Sequence, residues 1–389
     1  MSKLSKSKLI ILGSGELGKE FVIESQRLGC EIIAVDNYPG APAMQVADYS
    51  YVINMSDKDS LVKLILELKP DYVIPEIEAI SIEALQELED IGIKIVPNAR
   101  AVEMTMNRDK IRDLASNVLN IRTANFKYVF KSNDLIKEGS KIGYPLVLKP
   151  LMSSSGKGQN LVNEEEDLLN AWSYALDNSR GNIKGVILEE FICFDYEFTL
   201  LSIRTSSKEN IYCLPIGHEQ FKGDYQSSWH PMEISERILN EAQDIANKLL
   251  DNLDGAGLYG VEFFVKNNTL IFSELSPRPH DTGMVTILSQ NLNEFELHLR
   301  AILNIPIPKI KILKPAASRV ILSKGDYKEF YFVNLDEALK IEDTKVLIFG
   351  KPSARKGRRM GVALASSKDI CTARSKADEC ASHLDIIAL

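Results

Sequence analysis

Along the chain, short apolar runs alternate with longer amphipathic stretches. Residues 9–12, 32–35, 51–53, 72–74 and 93–96 read as strands, with helices at 16–28, 60–68 and 82–91 between them. Strand and helix in alternation predict a parallel sheet of βαβ units over 1–107. Pro97 and the polar stretch 105–109 close that block. From 108 to 310 the pattern changes to helices set among strand-like runs at 146–149, 186–190, 198–203, 259–265 and 270–275. Asn163 before Glu164, Glu165 and Glu166 reads as the cap and acidic first turn of a helix through Leu176. Ile238, Ala242, Ile245, Ala246, Leu249 and Leu253 form a helical stripe ended by Gly255. Pro306, Pro308 and Pro315 punctuate the chain before 311–389, which adds short strands and a helix near 368–383. The pattern predicts three domains, 1–107 (α/β), 108–310 (α+β) and 311–389.

Composition narrows the class. At 389 residues, 45% apolar and 26% charged, the chain is globular rather than disordered, collagen-like or disulfide-scaffolded. Its 46 Lys and Arg against 54 Asp and Glu give a net charge of −8, a field that repels nucleic acid and anionic membranes. Any phosphate it binds has to be captured locally. Cys30, Cys193, Cys213, Cys371 and Cys380 show no zinc spacing and suit a reducing cytoplasm. Lys3, Lys6 and Lys8 precede only four apolar residues, too few for a signal segment, and no run approaches the about 18 apolar residues of a membrane span. A soluble cytoplasmic protein is expected.

Four local features carry chemistry. Gly13-Ser14-Gly15-Glu16-Leu17-Gly18 matches GxGxxG, and Asp36 falls 18 residues after the last glycine, which alone is a dinucleotide fingerprint. The same turn offers backbone amides at a helix N-terminus. A carboxylate at Glu16 fits a bound amine or hydroxyl better than a pyrophosphate, and the turn can equally serve only to pack helix on strand. Lys149 precedes the loop Met152-Ser153-Ser154-Ser155-Gly156-Lys157-Gly158-Gln159, which departs from a Walker A loop at Leu151 and Gly158. Its small residues let amides fold over a polyphosphate that Lys149 and Lys157 can reach; the plain alternative is a solvated flexible loop.

Glu262 and Glu274 lie in apolar runs separated by Lys266-Asn267-Asn268-Thr269. Carboxylates in apolar strands need partners, and Mg²⁺ bridging phosphate oxygens is one. A two-residue Asn267-Asn268 turn in regular register puts the two on opposite faces. The metal reading therefore predicts an odd loop or a bulge, and the alternative is an ordinary amphipathic hairpin. Beyond it runs Ser276-Pro277-Arg278-Pro279-His280-Asp281-Thr282-Gly283, where Arg278 suits a transferring phosphoryl group and Asp281 an ammonium or hydroxyl. Lys351, Arg355, Lys356, Arg358 and Arg359 place five cations within nine residues, a pocket for one phosphate monoester or a solvated basic loop. His218, His230, His280, His298 and His383 show no ligand spacing and read as structural.

Taken with Pro75-Glu76-Ile77-Glu78-Ala79-Ile80, these stretches resemble the ATP-grasp superfamily and, within it, the formate-dependent phosphoribosylglycinamide formyltransferases of purine synthesis, over essentially the whole chain. The resemblance implies a Rossmann-like pre-ATP-grasp domain, a central ATP-grasp domain and a small β-rich C-terminal domain. It implies that formate, ATP and 5-phosphoribosylglycinamide give the N-formyl product, ADP and phosphate through formyl phosphate, with Mg²⁺, in a homodimer. ATP would meet Arg108, Lys149, Ser154, Ser155, Gly156, Lys157, Gly158, Gln159, the main chain of Glu189, Glu190, Phe191 and Ile192, and Glu197 at the ribose. Mg²⁺ would sit at Glu262 and Glu274. Glu16, Leu17, Glu76 and Asp281 would hold the glycinamide, and Lys351, Arg358 and Arg359 its phosphate; Lys157 and Arg278 would act catalytically. Glu190 stands where the family pattern has Gly, which main-chain contacts tolerate. Two rivals remain open, a dehydrogenase using the glycine turn and a bicarbonate-using ATP-grasp ligase, with a non-catalytic ATP-binding protein as a third.

Overall fold

A computed structural model describes residues 6–77, 79–152, 157–179, 185–221 and 223–389; Glu78, Ser153, Ser154, Ser155 and Gly156 lie outside the described residues. The first block is a parallel sheet of β1 (Lys8–Leu12), β2 (Glu31–Asp36), β3 (Tyr49–Val52) and β4 (Tyr72–Pro75) in the order β3-β2-β1-β4. Leu9 to Leu12 are fully buried because helices cover both faces, as parallel sheets require. Ile10 and Leu12 pack with Leu61, Leu85 and Val102 from the helices Lys58–Leu68, Ile82–Asp90 and Ala99–Met106. Leu9 and Ile11 pack with Phe21 of the helix Glu16–Arg27, and the same cluster takes in Phe295, Leu299 and Leu364 from far down the chain. The expected strand at 93–96 is reduced to a single bridge between Ile95 and Val73, cut short by Pro97.

The second block begins with a small antiparallel sheet, β5 (Phe126–Val129), β6 (Leu146–Pro150), β7 (Asn160–Val162) and β8 (Val186–Glu190), in the order β5-β8-β6-β7. The helix expected from residue 164 instead opens with a 3₁₀ turn, Glu165–Asp167, and runs over Leu168–Asp177. The cap position belongs to Glu164, which makes no capping bond. The large sheet comprises β9 (Tyr196–Arg204), β10 (Asn210–Tyr212), β11 (Ile216–Phe221), β12 (Asp224–His230), β13 (Gly257–Lys266) and β14 (Thr269–Ser276). It continues through β15 (Ala316–Leu322), β17 (Thr344–Ile348) and β18 (Arg359–Ser366), while β16 (Phe330–Val333) pairs with β19 (Asp385–Ala388). Its order is β14-β13-β9-β11-β12-β15-β18-β17, with β10 on β9, so the C-terminal strands extend the central sheet. The helix Glu236–Leu253, capped by Ser235, buries the whole stripe read from the sequence; Asp254, left-handed, ends it one residue before Gly255.

Candidate active site

A cleft opens where the three parts meet, with Glu76, Arg108, Lys149, Glu262, Glu274 and Asp281 on its walls. Its floor is the β13–β14 hairpin. Asn267 and Asn268 form the two-residue turn, both at positive φ (48° and 58°), with Lys266 paired to Thr269. Continued regularly, that register would set Ser273 opposite Glu262 and turn Glu274 to the other face. A bulge shifts the register between Glu262 and Phe263, so that Glu262 pairs with Glu274. The even turn and the bulge coexist, and the pair of carboxylates expected from the sequence reaches one cleft.

Glu262 is held from behind. His280 Nε2 lies 2.9 Å from its Oε1, and Gln220 donates to Oε2 at 3.4 Å. His280 Nδ1 is 2.8 Å from Thr282 Oγ1, which donates to Thr199 Oγ1 at 3.0 Å; Thr199 lies 3.3 Å from His218 Nδ1, whose Nε2 is 3.3 Å from Glu197. Burial pushes the Glu262 carboxyl up, but His280, His218 and Lys149 outweigh this and hold it well below the ordinary range. His218 and His280, read as structural from spacing alone, thus converge on this carboxylate from β11 and the loop after β14. The only hint was that His280 lies inside the stretch 276–283. Among the described residues no three His, Cys, Asp or Glu side chains form a metal cage. Two carboxylates fit a Mg²⁺ whose remaining ligands are phosphate oxygens and water.

On the wall formed by β6 and β8, Arg108 donates to the Pro150 carbonyl at 3.0 Å, and Lys149 donates to Glu189 Oε2 at 2.5 Å. The other Glu189 oxygen takes Arg112 at 2.5 Å; both side chains are buried. Burial pushes Glu189 up, yet the charges of Arg112 and Lys149 hold it at about 2. Arg112 escaped the sequence reading because nothing in its surroundings marks it. Glu190 turns to Asn125 (2.8 Å), and its own amide is spent on the Asn125 carbonyl. Phe191 is exposed, Ile192 is buried, and Glu197 lies buried with a carboxylate oxygen 3.3 Å from His218 Nε2. Lys157 is exposed, while Gly158, at φ +76, packs where a Cβ would meet Pro150 at 2.7 Å. Gln159 lines the cleft.

Two carboxylates flank the glycine turn. Asp36 accepts the Ser14 amide at 2.8 Å, and Glu76 Oε2 lies 3.1 Å from where a Cβ on Gly13 would stand. Gly13 itself, at φ +109, leaves no room for one, since Ile77 would be 2.6 Å away. Leu17 points into the core, so only its main chain can meet a ligand. Glu16 pairs with Lys351 at 2.7 Å, and Asp281 with Arg359 at 2.6 Å. Burial pushes Asp281 up, but Arg359 holds it at about 2. Arg358 donates to the Ser353 carbonyl at 2.8 Å, and Arg278, on the cleft wall, to the Pro279 carbonyl at 3.2 Å.

Family models agree with this layout. The ribonucleotide synthetase preATP-grasp domain matches residues 6–106, the ATP-grasp domain 114–295, and the PurT C-terminal domain 316–384. Formate-dependent phosphoribosylglycinamide formyltransferase of Prochlorococcus marinus strain MIT 9515 is 64% identical over 386 residues, 99% of each chain. The chain belongs to the formate-dependent phosphoribosylglycinamide formyltransferase family. Strain NATL2A of the same organism has a formyltransferase 55% identical over 98% of each chain. Among solved structures, glycinamide-RNase-transformylase T of Mycobacterium tuberculosis matches with TM-score 0.79 and 32% identity, covering 97% of this chain and 99% of that one. N5-carboxyaminoimidazole ribonucleotide synthetase of Thermotoga maritima scores higher, 0.85, at only 26% identity, covering 98% and 100%. The backbone score reports a shared ATP-grasp frame; the whole-chain identity decides between the two chemistries, and it lies with the formyltransferases. The dehydrogenase reading falls with the family assignment.

Proposed function

We propose that this formyltransferase makes N-formyl-phosphoribosylglycinamide from formate, ATP and 5-phosphoribosylglycinamide, with domains at 1–107, 108–310 and 311–389 supplying substrate wall, ATP site and phosphate end. The observation that carries the reaction is the 64% identity over the whole chain to curated formyltransferases. Formate is a poor electrophile. Transfer of the γ-phosphoryl group to its oxygen releases ADP and gives a mixed anhydride; attack by the glycinamide nitrogen then expels phosphate and releases one proton. Such chemistry is mostly positioning and charge neutralisation. Lys149, set by Glu189, and Arg108 would face the nucleotide, and Arg278 the transferring group. The main chain over Glu189, Glu190, Phe191 and Ile192 would meet adenine and Glu197 the ribose. Glu262 and Glu274 would hold Mg²⁺, which when bound neutralises charge on the phosphates. The loop Ser154, Ser155, Gly156, Lys157, Gly158 and Gln159 would cover the acyl phosphate, shielding it from water.

Glu16, Glu76, Asp281 and the Leu17 main chain would hold the glycinamide end, and Lys351, Arg358 and Arg359 the phosphate. The test is phosphate release with ATP and phosphoribosylglycinamide, comparing formate with bicarbonate; activity with bicarbonate alone overturns the reading. Cytoplasmic residence and a homodimer belong to the same proposal. The five cysteines are all unpaired, and no helix among the described residues is long and apolar enough to cross a membrane. The edge strand β3 exposes Tyr49, Tyr51 and Val52, an apolar edge a second copy would cover. Sedimentation equilibrium returning the mass of one chain would refute the dimer.

A further inference from the structure

Two ion pairs cross the substrate end of the cleft and join parts far apart in the chain. Lys351 of the C-terminal segment donates to Glu16 at the start of the helix Glu16–Arg27 (2.7 Å). Arg359, first residue of β18, lies 2.6 Å from Asp281 Oδ2, and its Nε is 3.9 Å from Asp224 Oδ1 at the start of β12. These are not surface pairs: the side chains of Lys351, Arg359 and Glu16 are 10, 11 and 14% exposed, and that of Asp281 28%. The cations are two of the three that the proposed function gives to the substrate phosphate, and the carboxylates two of the three it gives to the glycinamide end. With no substrate present they neutralise one another.

Charge accounting then restricts what can enter. A phosphate monoester without an amine can reach Lys351 and Arg359 only by stripping Glu16 and Asp281 of their counter-ions, and a part-buried ion left without its partner is strongly unfavourable. An amine without a phosphate strands the two cations in the same way. A ligand carrying both charges gives each half of the broken pairs a new partner: the phosphate dianion for the two cations, and one ammonium shared by the two carboxylates. We infer that the site is an ion-exchange lock: it admits a zwitterionic amino-phosphosugar, rejects phosphate monoesters that lack the amine, and uses loss of the amine's charge to discharge the product. The bound ammonium gives one proton to solvent to become the attacking amine; as the formyl C–N bond forms and the C–O bond to phosphate breaks, its second proton leaves on the phosphate and a neutral amide remains. Glu16 and Asp281 then lose their ligand partner and recapture Lys351 and Arg359 from the phosphate.

The inference rests on the substrate proposed above, and its test keeps the two separable. Isothermal titration without ATP is run on the full chain and on Glu16→Gln and Asp281→Asn, with phosphoribosylglycinamide, its N-formyl product and ribose 5-phosphate, and thermal melts check folding. The unaltered protein should bind phosphoribosylglycinamide at least about tenfold tighter than either other ligand. In both variants ribose 5-phosphate and the N-formyl product should gain about tenfold while the amine loses affinity, so that the preference closes. A product bound as tightly as substrate by the unaltered protein, or ribose 5-phosphate bound no better by either variant, overturns the exchange. The ribose 5-phosphate arm does not depend on the glycinamide. If phosphoribosylglycinamide neither binds nor supports phosphate release while the variants still gain ribose 5-phosphate affinity, the substrate assignment has failed and the exchange stands.

Discussion

Glu274 is open at the cleft while its partner Glu262 is anchored by His280 and Gln220, so the two carboxylates differ in what their removal breaks. Glu274→Gln should lower ATP-dependent phosphate release by more than about a hundredfold. Its thermal midpoint should stay within about two degrees of the parent, because surface substitutions move stability little; parental turnover would refute the metal role. Arg112 behaves differently. Arg112→Met leaves the buried Glu189 with Lys149 alone, and urea unfolding should show a loss of about 3–5 kcal/mol. Adding Glu189→Leu should restore most of that stability without restoring ATP affinity, since Lys149 is then unguided. A double variant as unstable as Arg112→Met would show that the charge balance is not the cause. At this scale the sequence exposed Lys149 and Glu189 through their motif positions. It hid Arg112, His218 and Gln220, whose roles depend on which strand lies beside which.

The β13–β14 hairpin shows how an element converts local chemistry into a site. Two asparagines at positive φ fix an even turn, and one bulge then restores the pairing of Glu262 with Glu274. Replacing both Asn267 and Asn268 with Ala should cost about 1–2 kcal/mol per residue, because a Cβ without a compensating side-chain bond is disfavoured there. Since the turn sets the register, the stabilisation that ATP with Mg²⁺ gives in a thermal shift should shrink as well. An unchanged nucleotide shift at lowered stability would mean that the bulge alone pins the register. The hairpin and the need for an irregularity were legible from the spacing of the two glutamates and the polar tetrapeptide between them. The kind of irregularity was not, because a bulge is decided by cross-strand packing of Phe263 on Phe272.

Across the molecule, one sheet runs from the central block into the C-terminal strands, and one core cluster joins Leu9 and Ile11 to Phe295 and Leu364. Such shared cores make the three parts unfold as coupled units, with pH acting on the whole. Burial pushes His230 down to about 4 and His298 down to about 3, both from an ordinary value near 6.5. Their unfolded forms take up protons that the folded forms refuse, so their contribution is complete above pH 6.5 and is lost as pH falls toward 4 and 3. Glu294, pushed up by burial, runs the other way: its folded form keeps a proton that its unfolded form gives up, so it gains stability as pH falls and offsets part of this loss. Urea unfolding should therefore weaken by about 1–2 kcal/mol per pH unit between pH 6 and 4.5. A flat profile there would mean that both rings are protonated in the folded protein.

By itself the sequence determined the elements, the three-part order and the family, because hydrophobic periodicity, glycine turns and motif spacing are local in the chain. It also placed part of the cleft lining, through Lys149 and Gln159 of the stretch 149–159 and Arg278 and Asp281 of 276–283. Only the tertiary structure decided what those residues meet. Asp36 accepts the Ser14 amide and Glu76 lies beside Gly13 of the glycine turn, and Glu189 joins Lys149 to Arg112. Lys351 and Arg359 rest on Glu16 and Asp281 across separations of 335 and 78 residues. Ion pairs of that kind leave no trace in periodicity, because their energy depends on distance and burial, which only the packed sheets define.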